Sequence, residues 1–134
     1  MSYIKDKNEY IFRIPGEIGF GKQLGRTVDM PTANLITNTD TSDITPGVYA
    51  VMMEICGKRY MGITHIGARP SVDNDNRITI ETYIFDFNKD IYGSKVTLYG
   101  YSYIRQTRTF DSLLELKAQV EKDITIAKTI LQDV

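Results

Sequence analysis

Val48-Tyr49-Ala50-Val51-Met52-Met53-Glu54-Ile55 decides the fold, because it is apolar at every position except Glu54. A strand with one wet face alternates apolar and polar residues, whereas an unbroken apolar run is typical of a strand covered on both faces. Closing a sheet into a barrel covers the inner face. The run therefore predicts one strand of a small closed barrel, with a helix or loop over part of its outer side.

Similar β-rich runs, separated by turn signals, fill the chain from Tyr10 to Arg105. The turn Cys56-Gly57-Lys58 predicts a hairpin, and a second turn at residues 88–93 separates the last two runs. We therefore expect sequential antiparallel pairing. The candidate strands are Tyr10–Ile14, Asn34–Ile36, Val48–Ile55, Arg59–Ile66, Ile78–Phe85 and Lys95–Ile104.

The last quarter of the chain changes to a helical period. Asp111 and Ser112 are alternative N-caps, and Ser112 forms a capping-box pattern with Glu115. Apolar residues then recur at spacings of three and four, which predicts one long helix docked on the sheet. They are Leu113, Leu116, Val120, Ile124, Ala127 and Leu131.

Composition favours one domain. The chain has 134 residues, of which 42% are hydrophobic and 25% charged. We expect residues 1–9 to form a flexible polar arm and residues 10–134 the domain. A net charge of −1 with mixed signs argues against nucleic-acid and membrane partners. The single Cys56, with no leader and no long apolar run, favours the reducing cytoplasm. We also expect a monomer.

Met30-Pro31-Thr32-Ala33-Asn34-Leu35 places two oxygen-bearing side chains two residues apart. In extended backbone Thr32 and Asn34 point to the same side. Such a neutral oxygen pair suits a magnesium ion whose remaining ligands come from phosphates. The alternative is a turn motif in which both side chains cap nearby backbone groups.

The glycine-bearing run from Gly16 to Gly25 contains a phosphate-loop pattern that fails at Gln23, where serine or threonine should stand. The run also leads to Pro31 rather than into a helix, so we exclude a phosphate loop. Two interpretations are open: an ordinary mobile loop, or a nucleotide lid whose backbone amides approach phosphate beside Lys22 and Arg26.

A carboxylate interrupts the apolar run Ile78–Phe85. Ile78, Ile80 and Ile84 share one face, while Glu81 lies on the other. A charge in such a strand is costly unless it has a partner or a function. By contrast, His65 has no second histidine to work with and is interpreted as a structural or surface residue.

Arginines lie in two of the predicted links between elements. Arg69 lies in the first link, and Arg105 and Arg108 lie just before the helix. The three tyrosines Tyr99, Tyr101 and Tyr103 are expected on the face shared with Arg105. That face frames a planar aromatic ligand or, as the more frequent alternative, is plain barrel packing.

These motifs together resemble the riboflavin kinase family, including the kinase module of bacterial bifunctional FAD synthetases, from about Gly16 to Leu131. The matching blocks are GRTVDMPTANL (25–35), GVYA (47–50), IGARPS (66–71), IETYIFDFNKDIYG (80–93) and YIRQTRTFDSLLELKAQVEKDI (103–124). The resemblance implies a mainly β fold, a six-stranded antiparallel Greek-key barrel with a long C-terminal helix.

The resemblance also implies an activity: transfer of the ATP γ-phosphate to the ribityl 5′-hydroxyl of riboflavin, giving FMN and ADP. Thr32 and Asn34 would hold Mg²⁺ or another divalent cation, and Glu81 would be the catalytic base. The remaining implied binding residues belong to a loop over the nucleotide and to a segment, Arg105–Leu114, over the flavin. They are Gly16, Gly21, Lys22, Gly25 and Arg26 for the nucleotide, and Arg105, Arg108 and Phe110 for the flavin.

The chain departs from the family pattern at Val28-Asp29-Met30, where a leucine-glycine-aromatic or apolar triplet is usual. Asp29 adds a negative charge beside the implied magnesium site. Three effects are open: none, assistance to metal binding, or weaker ATP binding. The alternative function is therefore a flavin-binding regulatory module with weak or no catalysis. Because the sequence holds only the kinase-like module, we expect no FAD synthesis from it.

Overall fold

The computed structural model describes residues 9–19, 32–68, 78–132 and 134. Six strands and one helix occupy these ranges, close to the predicted positions. They are β1 (Phe12–Gly19), β2 (Ala33–Ile36), β3 (Gly47–Ile55), β4 (Lys58–Ala68), β5 (Ile78–Ile84), β6 (Lys95–Arg105) and α1 (Leu113–Leu131).

The strands close into a barrel in the order β1-β2-β5-β4-β3-β6, with antiparallel pairing throughout. Strands β3, β4 and β5 are consecutive neighbours, and β6 returns to lie beside β3, which is the Greek-key order. The predicted mainly β, six-stranded antiparallel Greek-key barrel with a long C-terminal helix is confirmed.

The expectation of pairing between each strand and the next is wrong at two places. Strand β5 pairs with β2 and β4 rather than with β6, and β2 does not pair with β3. Turn residues specify a change of direction, whereas the partner is set by barrel closure, which leaves no exposed strand edge. The hairpin at Cys56 and Gly57 is confirmed, with φ of 51° and 80° at its two central residues, as a type I′ turn requires.

The first residues of the predicted loop are strand instead, because Gly16 and Gly19 are part of β1. A Cβ on Gly16 would collide with the carbonyl oxygen of Ile36 and would lie 2.8 Å from a Leu35 methyl group. Glycine is therefore needed there for the close approach of β1 and β2. The rest of the predicted loop, residues 20–31, lies outside the described residues, as do residues 1–8 of the predicted arm.

Strand β3 contributes to two separate cores, which explains its unbroken apolar run. Tyr49, Val51 and Met53 lie in the barrel interior. Val48, Ala50 and Met52 lie on the outer side, in a cluster that includes Ala127 and Leu131 of α1. The predicted strand covered on both faces is confirmed, and the outer cover is the C-terminal helix.

Helix α1 begins as the capping pattern predicts. The Ser112 hydroxyl accepts a hydrogen bond from the Glu115 backbone N–H at 3.2 Å, and the Glu115 carboxylate accepts one from the Asp111 N–H. No helix within the described ranges has the length and apolar character needed to cross a membrane.

The three tyrosines of β6 do not all share a face with Arg105, so that expectation is wrong for Tyr103. The register between β3 and β6 shifts twice, between Val48 and Tyr49 and between Ala50 and Val51. Such bulges change the face on which later residues point. Tyr99 and Tyr101 consequently pack in the outer cluster, whereas Tyr103 contacts Tyr49 with ring centroids 5.3 Å apart.

Candidate active site

A row of paired residues crosses five neighbouring strands at one level of the barrel. Asn34 of β2 pairs with Glu81 of β5, and Glu81 pairs with His65 of β4. The row continues from His65 to Val48 of β3 and to Arg105 of β6. Directly paired residues in an antiparallel sheet carry their side chains on the same face, with Cβ atoms about 4.5–5.5 Å apart. The register thus places Asn34, Glu81 and His65 side by side.

Alternation along β5 directs Glu81 outward. Ile80 and Ile84 belong to the barrel interior, and Thr82 between them is also fully buried. Glu81 and Tyr83 therefore point to the outer face, where both are half-buried. The predicted assignment of the isoleucines to one face and the carboxylate to the other is confirmed.

The outer face and helix α1 enclose a cleft of about 300 Å³. It brings together five residues predicted for the site from three distant parts of the chain: Thr32, Glu81, Arg105, Arg108 and Phe110. The other lining residues are largely apolar or come from β4 and α1. They are Val48, Ile63, Thr64, His65, Tyr83, Thr107, Leu116, Val120 and Asp123.

Arg105 joins the last strand to the helix across this cleft. Its Nε lies 2.9 and 3.0 Å from the two carboxylate oxygens of Asp123, and its Nη2 donates to Asp123 Oδ2 at 2.8 Å. The Asp123 side chain is 1% exposed and that of Arg105 is 19% exposed. Such a two-pronged pair has a fixed orientation, so Arg105 is held in place before any ligand binds.

Arg108 and Phe110 form a wall of the cleft in the segment after β6. The guanidinium carbon of Arg108 lies 4.8 Å from the centre of the Phe110 ring, and that of Arg105 lies 5.7 Å from it. Arg108 also donates to the side-chain oxygen of Gln119 at 3.4 Å. An aromatic ring beside two cations suits a flat, polarisable ligand.

His65 lines the same cleft and contacts the segment opposite. Its Nε2 lies 3.0 Å from the Thr107 hydroxyl oxygen. Burial lowers the pKa of His65 below its ordinary value of 6.5, and the positive charge of Arg105 lowers it further. The imidazole is therefore neutral at pH 7.

The structure places the other predicted residues as follows. Asn34 is beside Glu81 by register, whereas Gly16 lines a separate, shallower depression of about 710 Å³ on β1, β2 and β6. That depression shares no residue with the Glu81 cleft. Gly21, Lys22, Gly25 and Arg26 lie outside the described residues. Among the residues described, no group of three or more His, Cys, Asp or Glu side chains could hold a metal ion.

Two titratable residues of the cleft, Asp123 and His65, were not predicted as part of the site. Asp123 carries a detectable signal, because it falls on the apolar stripe of α1, between Val120 and Ala127 at spacings of three and four. A carboxylate there requires a buried partner. His65 has no comparable signal, since only the pairing of β4 with β5 brings it beside Glu81.

The family model for riboflavin kinase, Flavokinase, matches residues 8–131. The chain belongs to the riboflavin kinase family. The resemblance of its motifs to that family is thereby confirmed.

Individual relatives agree with this assignment. The chain is 38% identical over 120 residues to a bifunctional riboflavin kinase/FMN adenylyltransferase of Buchnera aphidicola, covering 88% of this chain and 38% of that protein. It is 38% identical over 112 residues to the RNA-binding riboflavin kinase RibR of Bacillus subtilis, covering 84% of this chain and 48% of that protein. The chain thus spans less than half of either relative.

Among solved structures, a macrolide-efflux protein from Streptococcus pneumoniae matches with a TM-score of 0.80 and 34% identity. The match covers 87% of this chain and 38% of that one. It shows that the barrel and its helix occur in the same arrangement within a longer chain.

Replacing Asp123 with asparagine should destabilise the fold by about 3 kcal/mol, because it leaves Arg105 without its buried counter-charge. The double variant Arg105→Met/Asp123→Leu should recover most of this loss, since it removes both charges. Urea unfolding measures both effects. An Asp123→Asn midpoint equal to that of the wild type would contradict this account of helix docking.

The lowered pKa of His65 predicts a pH dependence of stability. The unfolded chain takes up a proton near pH 6.5 whereas the folded chain resists it. Stability from this group is therefore complete above pH 6.5 and is lost as the pH falls through the folded-state pKa. Between pH 7.5 and 5.5 the wild type should lose more unfolding free energy than His65→Gln. Equal losses of unfolding free energy in the two proteins, measured by denaturant titration, would show that folding does not lower the pKa of His65.

Proposed function

We propose that this chain is an ATP-dependent riboflavin kinase, which transfers the γ-phosphate of ATP to the ribityl 5′-hydroxyl of riboflavin and releases FMN and ADP. The observation that carries the proposal is the half-buried Glu81, in one cleft with Thr32 and in register with Asn34. Membership of the riboflavin kinase family supports the kinase over a non-catalytic flavin-binding module.

Glu81 is proposed as the base that receives the proton of the 5′-hydroxyl. Phosphoryl transfer passes through a loose transition state, so positioning and charge neutralisation matter more than a strong base. A carboxylate oxygen of Glu81 orients the hydroxyl by accepting its hydrogen bond. The proton then moves to a carboxylate oxygen as the new P–O bond forms.

The walls of the cleft are proposed to bind and shield the flavin. Val48, Ile63 and Val120 provide an apolar surface, which favours a flat aromatic ligand and excludes water from the reacting hydroxyl. Phe110, within cation–π distance of both guanidinium groups, adds an aromatic surface to the cleft. Because Asp123 already holds Arg105, little entropy is lost in ordering that side chain when the ligand binds.

Thr32 and Asn34 are proposed to hold a divalent cation, Mg²⁺ by preference, together with phosphate oxygens of ATP. Their side chains fit this use because they carry neutral oxygens and lie two residues apart, Thr32 just before β2 and Asn34 within it. Asn34 is paired with Glu81, and Thr32 lines the same cleft as Glu81. When bound, the cation supplies positive charge that offsets negative charge on the phosphoryl oxygens. Gly16, Gly21, Lys22, Gly25 and Arg26 are proposed to contact the nucleotide.

We further propose that the chain acts as a monomer in the cytoplasm and does not bind nucleic acid. The net charge of −1 provides no general attraction for a polyanion, although one relative is named RNA-binding. The exposed, unpaired Cys56 suits a reducing compartment.

Incubation with riboflavin, ATP and Mg²⁺ should yield FMN, resolved from riboflavin and FAD by chromatography. Glu81→Gln should lower turnover by about 100-fold or more, as expected for loss of a general base, while the thermal unfolding transition stays in place. Glu121→Gln on the exposed face of α1 makes the same chemical change outside the cleft and should leave turnover unchanged. No FMN from the wild type with any of several divalent cations would refute the proposal.

A further inference from the structure

The segment 106–110 is tied to the rest of the molecule at two points on opposite sides of the cleft. From the barrel, His65 of β4 reaches the Thr107 hydroxyl at 3.0 Å. From the helix, the Gln119 side-chain oxygen accepts from Arg108 at 3.4 Å. Neither His65 nor Gln119 belongs to this segment, so both act on it from outside.

The His65 ring lies close to Gly67. A Cβ added to Gly67, two residues along the same strand, would lie 2.9 Å from the ring carbon Cε1 of His65. The ring therefore lies over a position that only glycine leaves open. The imidazole has its Cε1 beside Gly67 and its Nε2 beside the Thr107 hydroxyl. It therefore connects β4 to the segment after β6.

On the helix side, the Gln119 side chain is held by hydrogen bonds at both its nitrogen and its oxygen. Its side-chain nitrogen donates to Asp123 Oδ1 at 3.0 Å, and Asp123 is itself fixed by Arg105. One amide thus joins the carboxylate of the buried ion pair to the guanidinium of Arg108. Rotation of Gln119 is opposed at both ends of its side chain.

We infer that His65 and Gln119 are positioning residues for the flavin, which hold segment 106–110, with Arg108 and Phe110, closed against the cleft. This inference rests on the proposed function, because it takes the ligand of the cleft to be riboflavin. A wall ordered in advance raises affinity by removing the entropy cost of ordering it on binding. His65 is paired with the proposed base Glu81, so its removal is expected to affect flavin binding and the chemical step together. Removal of Gln119 should weaken flavin binding and leave the chemical step unchanged.

The test measures riboflavin binding by fluorescence titration without ATP, followed by steady-state kinetics. His65→Leu, Thr107→Val and Gln119→Met should each raise the riboflavin Kd and KM about two- to fivefold, the lower part of the range for one net hydrogen bond because Thr107 and Arg108 are exposed. The KM for ATP should stay at its wild-type value in all three variants, and kcat should do so in Thr107→Val and Gln119→Met. Thr107→Ser should restore affinity, because it returns the hydroxyl.

A double-mutant cycle tests whether His65 and Thr107 act through their shared hydrogen bond or through independent contacts. His65→Leu/Thr107→Val should bind riboflavin no more weakly than the weaker single variant, since both remove the same hydrogen bond. Thr129→Val, the same change as Thr107→Val on the exposed last turns of α1, should bind as the wild type does.

Additive losses in the cycle, or a loss for His65→Leu with none for Thr107→Val, would overturn the inference. So would a fall in kcat with an unchanged riboflavin KM. Wild-type protein that binds riboflavin but makes no FMN would instead refute the kinase proposal, and the binding results would still decide the roles of His65 and Gln119.

Discussion

The ion pair between Arg105 and Asp123 is the interaction on which the cleft depends. It joins the end of β6 to the middle of α1, with Asp123 almost fully buried. A buried charge pair repays its desolvation only when the geometry is good and additional hydrogen bonds satisfy the remaining atoms. Here Gln119 donates to the same carboxylate, and Arg105 also donates to the carbonyl of Gln106. The pair therefore fixes the helix at one position over the barrel.

Without the helix, the row from Asn34 to Arg105 would lie on an open outer surface. With the helix in place, Val120 and Leu116 face Val48 and Ile63 across the cleft, and Glu81 becomes a half-buried carboxylate beside apolar walls. The closed barrel supplies the other half of the arrangement, because its hydrogen-bonded register sets which residues of β2, β5 and β4 share a level. The geometry of the cleft thus comes from ladder hydrogen bonds on one side and from one buried ion pair on the other.

Local patterns predicted the elements of this fold because they follow directly from burial. The unbroken apolar run of β3 reflects a strand covered on both faces, and the position of Glu81 on the face opposite Ile80 and Ile84 reflects the alternation of side chains along β5. Both are properties of one segment and its surroundings, and both were confirmed as structural statements. The catalytic role of Glu81 remains a proposal.

Properties that depend on partners were not predictable in the same way. The pairing of β5 with β2 follows from closure of the whole barrel, and the two bulges in β6 that turn Tyr103 away from Arg105 leave no mark in the apolar pattern. In the sequence His65 is an isolated histidine, and only the pairing of β4 with β5 brings it beside Glu81. The neutral state of His65 likewise depends on burial and on Arg105, which lies 40 residues later in the chain.

The most direct test of the account is a crystal structure of the protein with riboflavin and ADP. The account predicts a flavin ring against Phe110 and a ribityl 5′-oxygen about 3 Å from a Glu81 carboxylate oxygen, within hydrogen-bond reach for proton transfer. A flavin bound in the depression beside Gly16, or a ribityl chain directed away from Glu81, would contradict it.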